Sequence, residues 1–263
     1  HIVVAPFYKD ARTGAVYVHK DLDERLAPWE EEAHIGPRDV HPIFGDLESF
    51  VQYLQTYAPS DHDDVFVHWN QHGLQASLDF KERGLSTAGH PFEQTRQFVA
   101  WSKFANGNAH SQTESVEFLE DHAPDISSPE ASVIADIMRS LRANAQANAT
   151  TEIRPDGTQH VRFERNTTVA AGSASDMTLP PEMEIAIPVL KGHNEENGAP
   201  ALYKLVLRIR SQVRPEDAHL FLRFSMPQVE IVLDEVISER IVKLRELLGD
   251  SFKLYRVTDD YYG

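Results

Sequence analysis

The stretch from Ser111 to Leu141 constrains the fold more than any other, because capping signals, length and apolar spacing agree there. Ser111 stands three residues before Glu114, and Val116, Phe118 and Leu119 follow, which is a capping box leading into an apolar run. Pro124 closes this helix, since proline has no amide to donate and biases Ala123 away from helical angles. Ser128-Pro129-Glu130 is expected to open a second helix, with a serine cap, proline at the first position and an acid in the first turn. Val133, Ile134, Ile137, Met138 and Leu141 recur at helical spacing as one stripe. The pattern predicts a helix–turn–helix pair mid-chain, with Phe118, Leu119, Ile134, Ile137 and Leu141 buried together.

Strand-like segments flank this pair. Asp46 is read as the cap of a helix whose apolar face is Leu47, Phe50, Val51, Leu54 and Tyr57. Val65 to Asn70 and Leu74 to Glu82, joined around Gly73, read as a hairpin with Leu74, Ala76, Leu78 and Phe80 on the buried face. A helix is expected within residues 91–105, ended by Asn106-Gly107. Thr151 to Val169 reads as a second hairpin around Pro155-Asp156-Gly157-Thr158, where glycine supplies the positive φ. Residues 170–180 are small and polar and read as a linker. Met183 to Leu190, Leu202 to Val213 and Leu220 to Phe224 read as strands, Gln228 to Leu248 as a long helix stopped by Gly249, and Phe252 to Val257 as a last strand. Tight turns between neighbouring strands imply antiparallel pairing. The predicted class is α+β: antiparallel hairpins and a mixed sheet packed on the central helix pair and the long C-terminal helix.

Residues 1–45 contrast with this. Ile2 to Ala5 and Ala15 to Val18 are short strand-type runs, and Asp21 to Pro42 carries three prolines and the acidic Glu30-Glu31-Glu32. They are read as an extended N-terminal arm, with residues 46–263 forming one α+β domain, subdivided if anywhere near residues 170–180. The sequence opens on His1 and shows no signal peptide, so whether a segment precedes it is left open.

Charge narrows the function classes. The formal net charge is −16, and residues 1–125 hold 9 Lys and Arg against 21 Asp and Glu, a balance of −12. Such a field repels a phosphate backbone unless a local basic patch overrides it. Arg208, Arg210, Arg214 and Arg223 form the one candidate patch, and cross-strand pairing with acids is their default reading. Without cysteine there is no thiol catalysis or thiolate zinc site, which fits a reducing compartment.

Four runs, in order, carry a resemblance: Asp46-Leu47-Glu48-Ser49-Phe50; Gln97-Phe98-Val99-Ala100-Trp101; Val116-Glu117-Phe118-Leu119-Glu120-Asp121-His122 with Asp125-Ile126 and Pro129; and Pro181 to Pro188 with Lys191-Gly192 and Leu207-Arg208-Ile209-Arg210. Together they resemble the YfdQ-like family of uncharacterised bacteriophage and prophage proteins over about residues 46–250, and the segment before residue 40 lies outside. The resemblance implies a phage genome, expression in a bacterial cytoplasm and an accessory role. It implies no activity and no catalytic residues.

Other constellations read more simply as structure. His68 and His72 have the spacing of a helical metal pair, but they fall on a strand and a turn and do not converge. Asp64, followed by Asp79 and Lys81 on the hairpin partner, is similar to a metal-dependent nuclease core, yet the acidic surroundings oppose DNA. Asp61, Asp63 and Asp64 lack the glycine and glutamate of a calcium loop. Phe92, Phe98, Trp101 and Phe104 fit a core better than a base-stacking platform. No catalytic, cofactor-binding or metal-ligating residue is assigned. The expected function is a non-enzymatic cytoplasmic accessory protein that self-assembles into a ring or capsid-like shell through the arm and the hairpin edges. The alternatives are a factor in phage DNA replication or recombination, or an inhibitor of a host defence.

Overall fold

A computed structural model describes residues 7–9, 16–18, 41–58, 65–78, 86–145, 147–164, 175–193, 199–216 and 218–257. The chain divides into two units, His1–Val40 and His41–Gly263. In the first, β1 (Phe7–Lys9) pairs antiparallel with β2 (Val16–Val18). The sequence-based strand at Ile2 to Ala5 and the segment from Asp21 to Val40 lie outside the described residues.

The second unit is α+β. Among its described residues are five helices and 12 strands in three sheets. Asp46 caps α1 (Leu47–Tyr57) by accepting from the Ser49 amide, and Leu47, Phe50, Val51 and Leu54 are buried, whereas Tyr57 is 49% exposed. The first hairpin is β3 (Phe66–Asn70) and β4 (Gly73–Ser77). Its edges are already covered within the chain, by β5 (Thr87–Pro91) antiparallel to β4 and by β14 (Leu254–Arg256) parallel to β3. The expectation that this hairpin leaves free edges is therefore corrected. The Phe44 amide donates to the Gly89 carbonyl and the Gly89 amide to that of Pro42, so residues 42–44, read from sequence as the end of the arm, are tied to β5.

Thr95 caps α2 (Arg96–Phe104), and its hydroxyl donates to the Pro188 carbonyl. Phe92 precedes the helix. Asn106-Gly107 does not end the element in a loop but opens β6 (Asn106–Ser111). The Ser111–Glu114 capping box is present in full on α3 (Gln112–Asp121). Val116 and Leu119 are buried, whereas Phe118 is only partly so.

The link to the next helix differs from a simple turn. A 3-10 turn, Ala123–Asp125, leads into β7 (Ile126–Ser128), which joins a sheet edge and so draws Ser128 away from the capping role expected of it. The peptide Ser128–Pro129 is cis, and α4 (Ala131–Ala143) begins after Glu130, whose side chain makes no cap bond. Ile134, Ile137 and Leu141 are buried there; Met138 is partly buried and Val133 is 43% exposed, so the stripe is narrower than its spacing suggests.

The second hairpin is β8 (Asn148–Ile153) and β9 (Gln159–Glu164), with Gly157 at φ 83 in the turn. Part of the expected linker is a strand instead. β10 (Ser175–Leu179) pairs with β9, and Met177 and Leu179 are buried, because alternation of small and apolar residues suffices when a partner edge is waiting. Then β11 (Glu182–Ile187), β12 (Tyr203–Val213) and β13 (Leu220–Ser225) form the antiparallel sheet β6-β13-β12-β11-β7. Gln159 ties two sheets together. It is buried, donates to the Ile209 carbonyl at 2.7 Å, and accepts from the Ser211 amide and hydroxyl. Finally α5 (Val229–Leu248) ends at Gly249, φ 68, and packs against α1, where Lys243 meets Glu48 at 2.8 Å and Gln55 donates to the Leu247 carbonyl.

Candidate functional site

Alternation decides which side of the five-stranded sheet is core. Met183, Ile185 and Ile187 of β11, Leu205, Leu207 and Ile209 of β12, and Leu220, Leu222 and Phe224 of β13 are buried, all on one face. The intervening residues form the other face, where Lys204, Arg208, Arg210, Gln212 and Arg223 are exposed and Val206 and Phe221 half-buried. One layer is thus packed, while the outer face meets solvent over its central strands.

Register sets the electrostatics of that face. Arg208 stands opposite Glu182 and its Nε lies 3.2 Å from the carboxylate. Lys204 reaches Glu184 at 4.0 Å. Across the next interface the rule breaks, because Arg210 of β12 stands directly opposite Arg223 of β13. Directly opposed residues on one face have Cβ atoms about 5 Å apart, and like charges there repel. Neither arginine has an acidic partner among the described residues. Beside them the Arg214 guanidinium lies 4.2 Å above the Phe221 ring, a cation–π contact that fixes the strand ends. The sequence-based patch is therefore real in part: Arg208 follows the expected pairing, Arg210 and Arg223 do not.

A second cluster was not foreseen from sequence. Arg240 is 2% exposed in α5 and donates to the carbonyls of Lys191, at 2.9 Å, and Gly192. Its Nε is buried without a partner among the described residues, and burial pulls its pKa down. One residue earlier, Glu239 accepts from Tyr203 and from His193 Nε2, the latter at 3.2 Å. His193 is 3% exposed, and burial holds its imidazole below the ordinary range despite the glutamate. The cluster staples the turn at residues 191–193 to the helix. Chemically it offers an imidazole oriented by a carboxylate that also holds a phenol. Only the Lys191-Gly192 pair hinted at it, and arginine at a helical core position looks like a surface residue in sequence.

The remaining candidates sort as follows. His68 lies on β3 and His72 in the turn after it, and among the described residues there is no cluster of three or more metal-binding side chains. Burial lowers the pKa of His68. Asp61, Asp63, Asp64, Asp79 and Lys81 lie outside the described residues. Phe92, Phe98, Trp101 and Phe104 are all buried, as a core reading requires. No helix among the described residues is long and apolar enough to cross a membrane.

Residues 43–255 match the family described as an uncharacterized conserved protein, DUF2303. The chain belongs to this family. No curated protein and no solved structure shows a significant match. The matched span begins at Ile43, beside the strand-like tie to Gly89, and ends in β14, so the family unit and the second structural unit nearly coincide.

Proposed function

We propose that this DUF2303 protein is a phage-encoded accessory protein of the YfdQ-like kind, acting in the bacterial cytoplasm by binding and self-assembly rather than by catalysis. The observation that carries this reading is the outer face of the five-stranded sheet. It is the solvent-facing side of that sheet, with half-buried Val206 and Phe221 and with Arg210 and Arg223 opposed, neither having an acidic partner among the described residues. Two like charges held side by side are tolerated where a ligand of opposite sign covers them. In a chain of net charge −16, a carboxylate-rich surface is the ligand most readily at hand. Ring or shell assembly through residues 1–40 belongs to the same proposal.

Native mass spectrometry and light scattering of the full chain at micromolar concentration test it. A closed homo-oligomer is expected, shrinking when residues 1–40 are deleted, and a full-length monomer overturns the reading. A second reading, an accessory factor for phage DNA replication or recombination, is favoured by one contact: Arg214 over Phe221 places a cation beside a ring, the two kinds of group that single-strand binders use. Retention of a single-stranded oligonucleotide at physiological salt, with the protein monomeric, supports that reading instead.

A further inference from the structure

We infer that the opposed Arg210–Arg223 face is the receiving half of a contact between copies of this chain, and that the outer stripe of α5 is the delivering half. The inference rests on the self-assembly reading above and names its surfaces. On α5, Ile231, Glu235, Ser238, Val242 and Glu246 fall on one side of the helix, since intervals of four, seven, eleven and fifteen residues bring the chain back to nearly the same direction. All five are exposed, Ile231 by 66% and Val242 by 53%. Among the described residues neither Glu235 nor Glu246 has a cationic partner. The stripe is thus two apolar side chains and a serine with two carboxylates that lack a cation among the described residues. The sheet face is its complement: half-buried Val206 and Phe221 with two guanidiniums that lack an acid among the described residues.

Geometry and charge agree. A sheet open on one face is completed when a helix lies across it, the usual two-layer arrangement. Copies of net charge −16 repel, so a contact between them forms where the local sign reverses, and Arg210 with Arg223 is such a place. Arginine against carboxylate also gives forked hydrogen bonds with little entropic loss. The two surfaces are different patches on one chain, so the contact is heterologous and propagates into a ring when the rotation closes.

The test is charge reversal in the full chain, read by light scattering and native mass spectrometry, with thermal melts checking the fold. Arg210→Glu with Arg223→Glu should weaken assembly about 100-fold, as like charges across an interface do. Glu235→Lys with Glu246→Lys should do the same. Combining all four substitutions should restore assembly, and so should mixing the two double variants, because each then presents a match to the other. Restoration is the supporting result, and a loss of folding alone does not produce it. A wild-type oligomer that neither double variant weakens overturns the inference and leaves the self-assembly reading standing. A wild-type monomer overturns both. Binding of a single-stranded oligonucleotide that is lost in Arg210→Glu with Arg223→Glu, with assembly unchanged, overturns the inference in favour of a nucleic-acid ligand.

Discussion

Phe104 and Phe118 lie ring on ring, 3.7 Å between centroids and 4° from parallel. His110 continues the stack beyond Phe104 at 4.2 Å and His122 beyond Phe118 at 4.1 Å. Trp101 meets Phe118 edge-on, and its indole donates to Asp125 at 2.8 Å. Four rings, from α2, β6, α3 and the residue that caps α3, thus form one column, and each terminal histidine donates to a backbone carbonyl, His110 to Phe104 and His122 to Phe118.

The column sets an unequal cost for its two phenylalanines. Phe104 is 8% exposed, and Phe104→Ala is expected to lower stability by about 3–5 kcal/mol, the range for emptying a large aromatic site. Phe118 is only partly buried, so Phe118→Ala should cost less, about 2–3 kcal/mol. The double variant should fall short of the sum by about 0.5–1.5 kcal/mol, the worth of an aromatic pair. Urea unfolding of the four proteins checks this; strict additivity would mean that the stacking itself contributes nothing.

Acid should destabilise the fold through its buried imidazoles. Burial depresses the imidazoles of His68, His90 and His193 below their ordinary 6.5. The unfolded chain then takes up protons that the folded chain refuses. These residues contribute stability above about pH 6.5, and that contribution is lost as pH falls through 6.5 toward the lower folded values. His90, 1% exposed, donates from Nδ1 to the Phe44 carbonyl and has a buried Nε2 without a partner among the described residues. The urea midpoint should drop between about pH 7.5 and 5.5, and His90→Gln should flatten the drop. An unchanged slope in that variant would place the titration elsewhere.

Gly73 should tolerate no side chain. A Cβ built there lies 2.6 Å from the His90 carbonyl oxygen and 2.9 Å from the Pro91 Cα, both backbone atoms of the paired strand. Gly73→Ala is expected to cost about 1–3 kcal/mol through forced separation of β4 and β5. Gly45→Ala, which meets nothing within 4 Å, is the matched control. Thermal melts distinguish them, and equal stability of the two variants would show that the strands part freely.

Much of the fold was legible because residue pattern and backbone state agreed. The Ser111–Glu114 box, the alternation of Leu205, Leu207 and Ile209, and the Gly249 stop each name their element locally. The strands that escaped, β5, β6, β7 and β10, are short and polar or glycine-containing. They exist because a neighbouring strand offers hydrogen bonds, a fact of tertiary pairing that no window of sequence contains. The same holds for the candidate surface. That Arg208 and Arg210 share a face follows from spacing, but that one meets Glu182 and the other Arg223 depends on register between distant strands.

The parallel pairing of β14 with β3 has a consequence for biosynthesis. Leu254 joins Val67, Tyr255 joins His68, and Arg256 joins Trp69, so a strand near the start of the family unit waits for one at its end. On a ribosome that delivers the chain from its N-terminus, β3 emerges early and stays open on one side until almost the whole unit has been made. Tyr255, stacked at 4.8 Å on Phe66, adds a ring contact to the pairing that closes this edge. A product cut short of Leu254 would leave β3 without this partner, an edge of the kind that pairs with other chains.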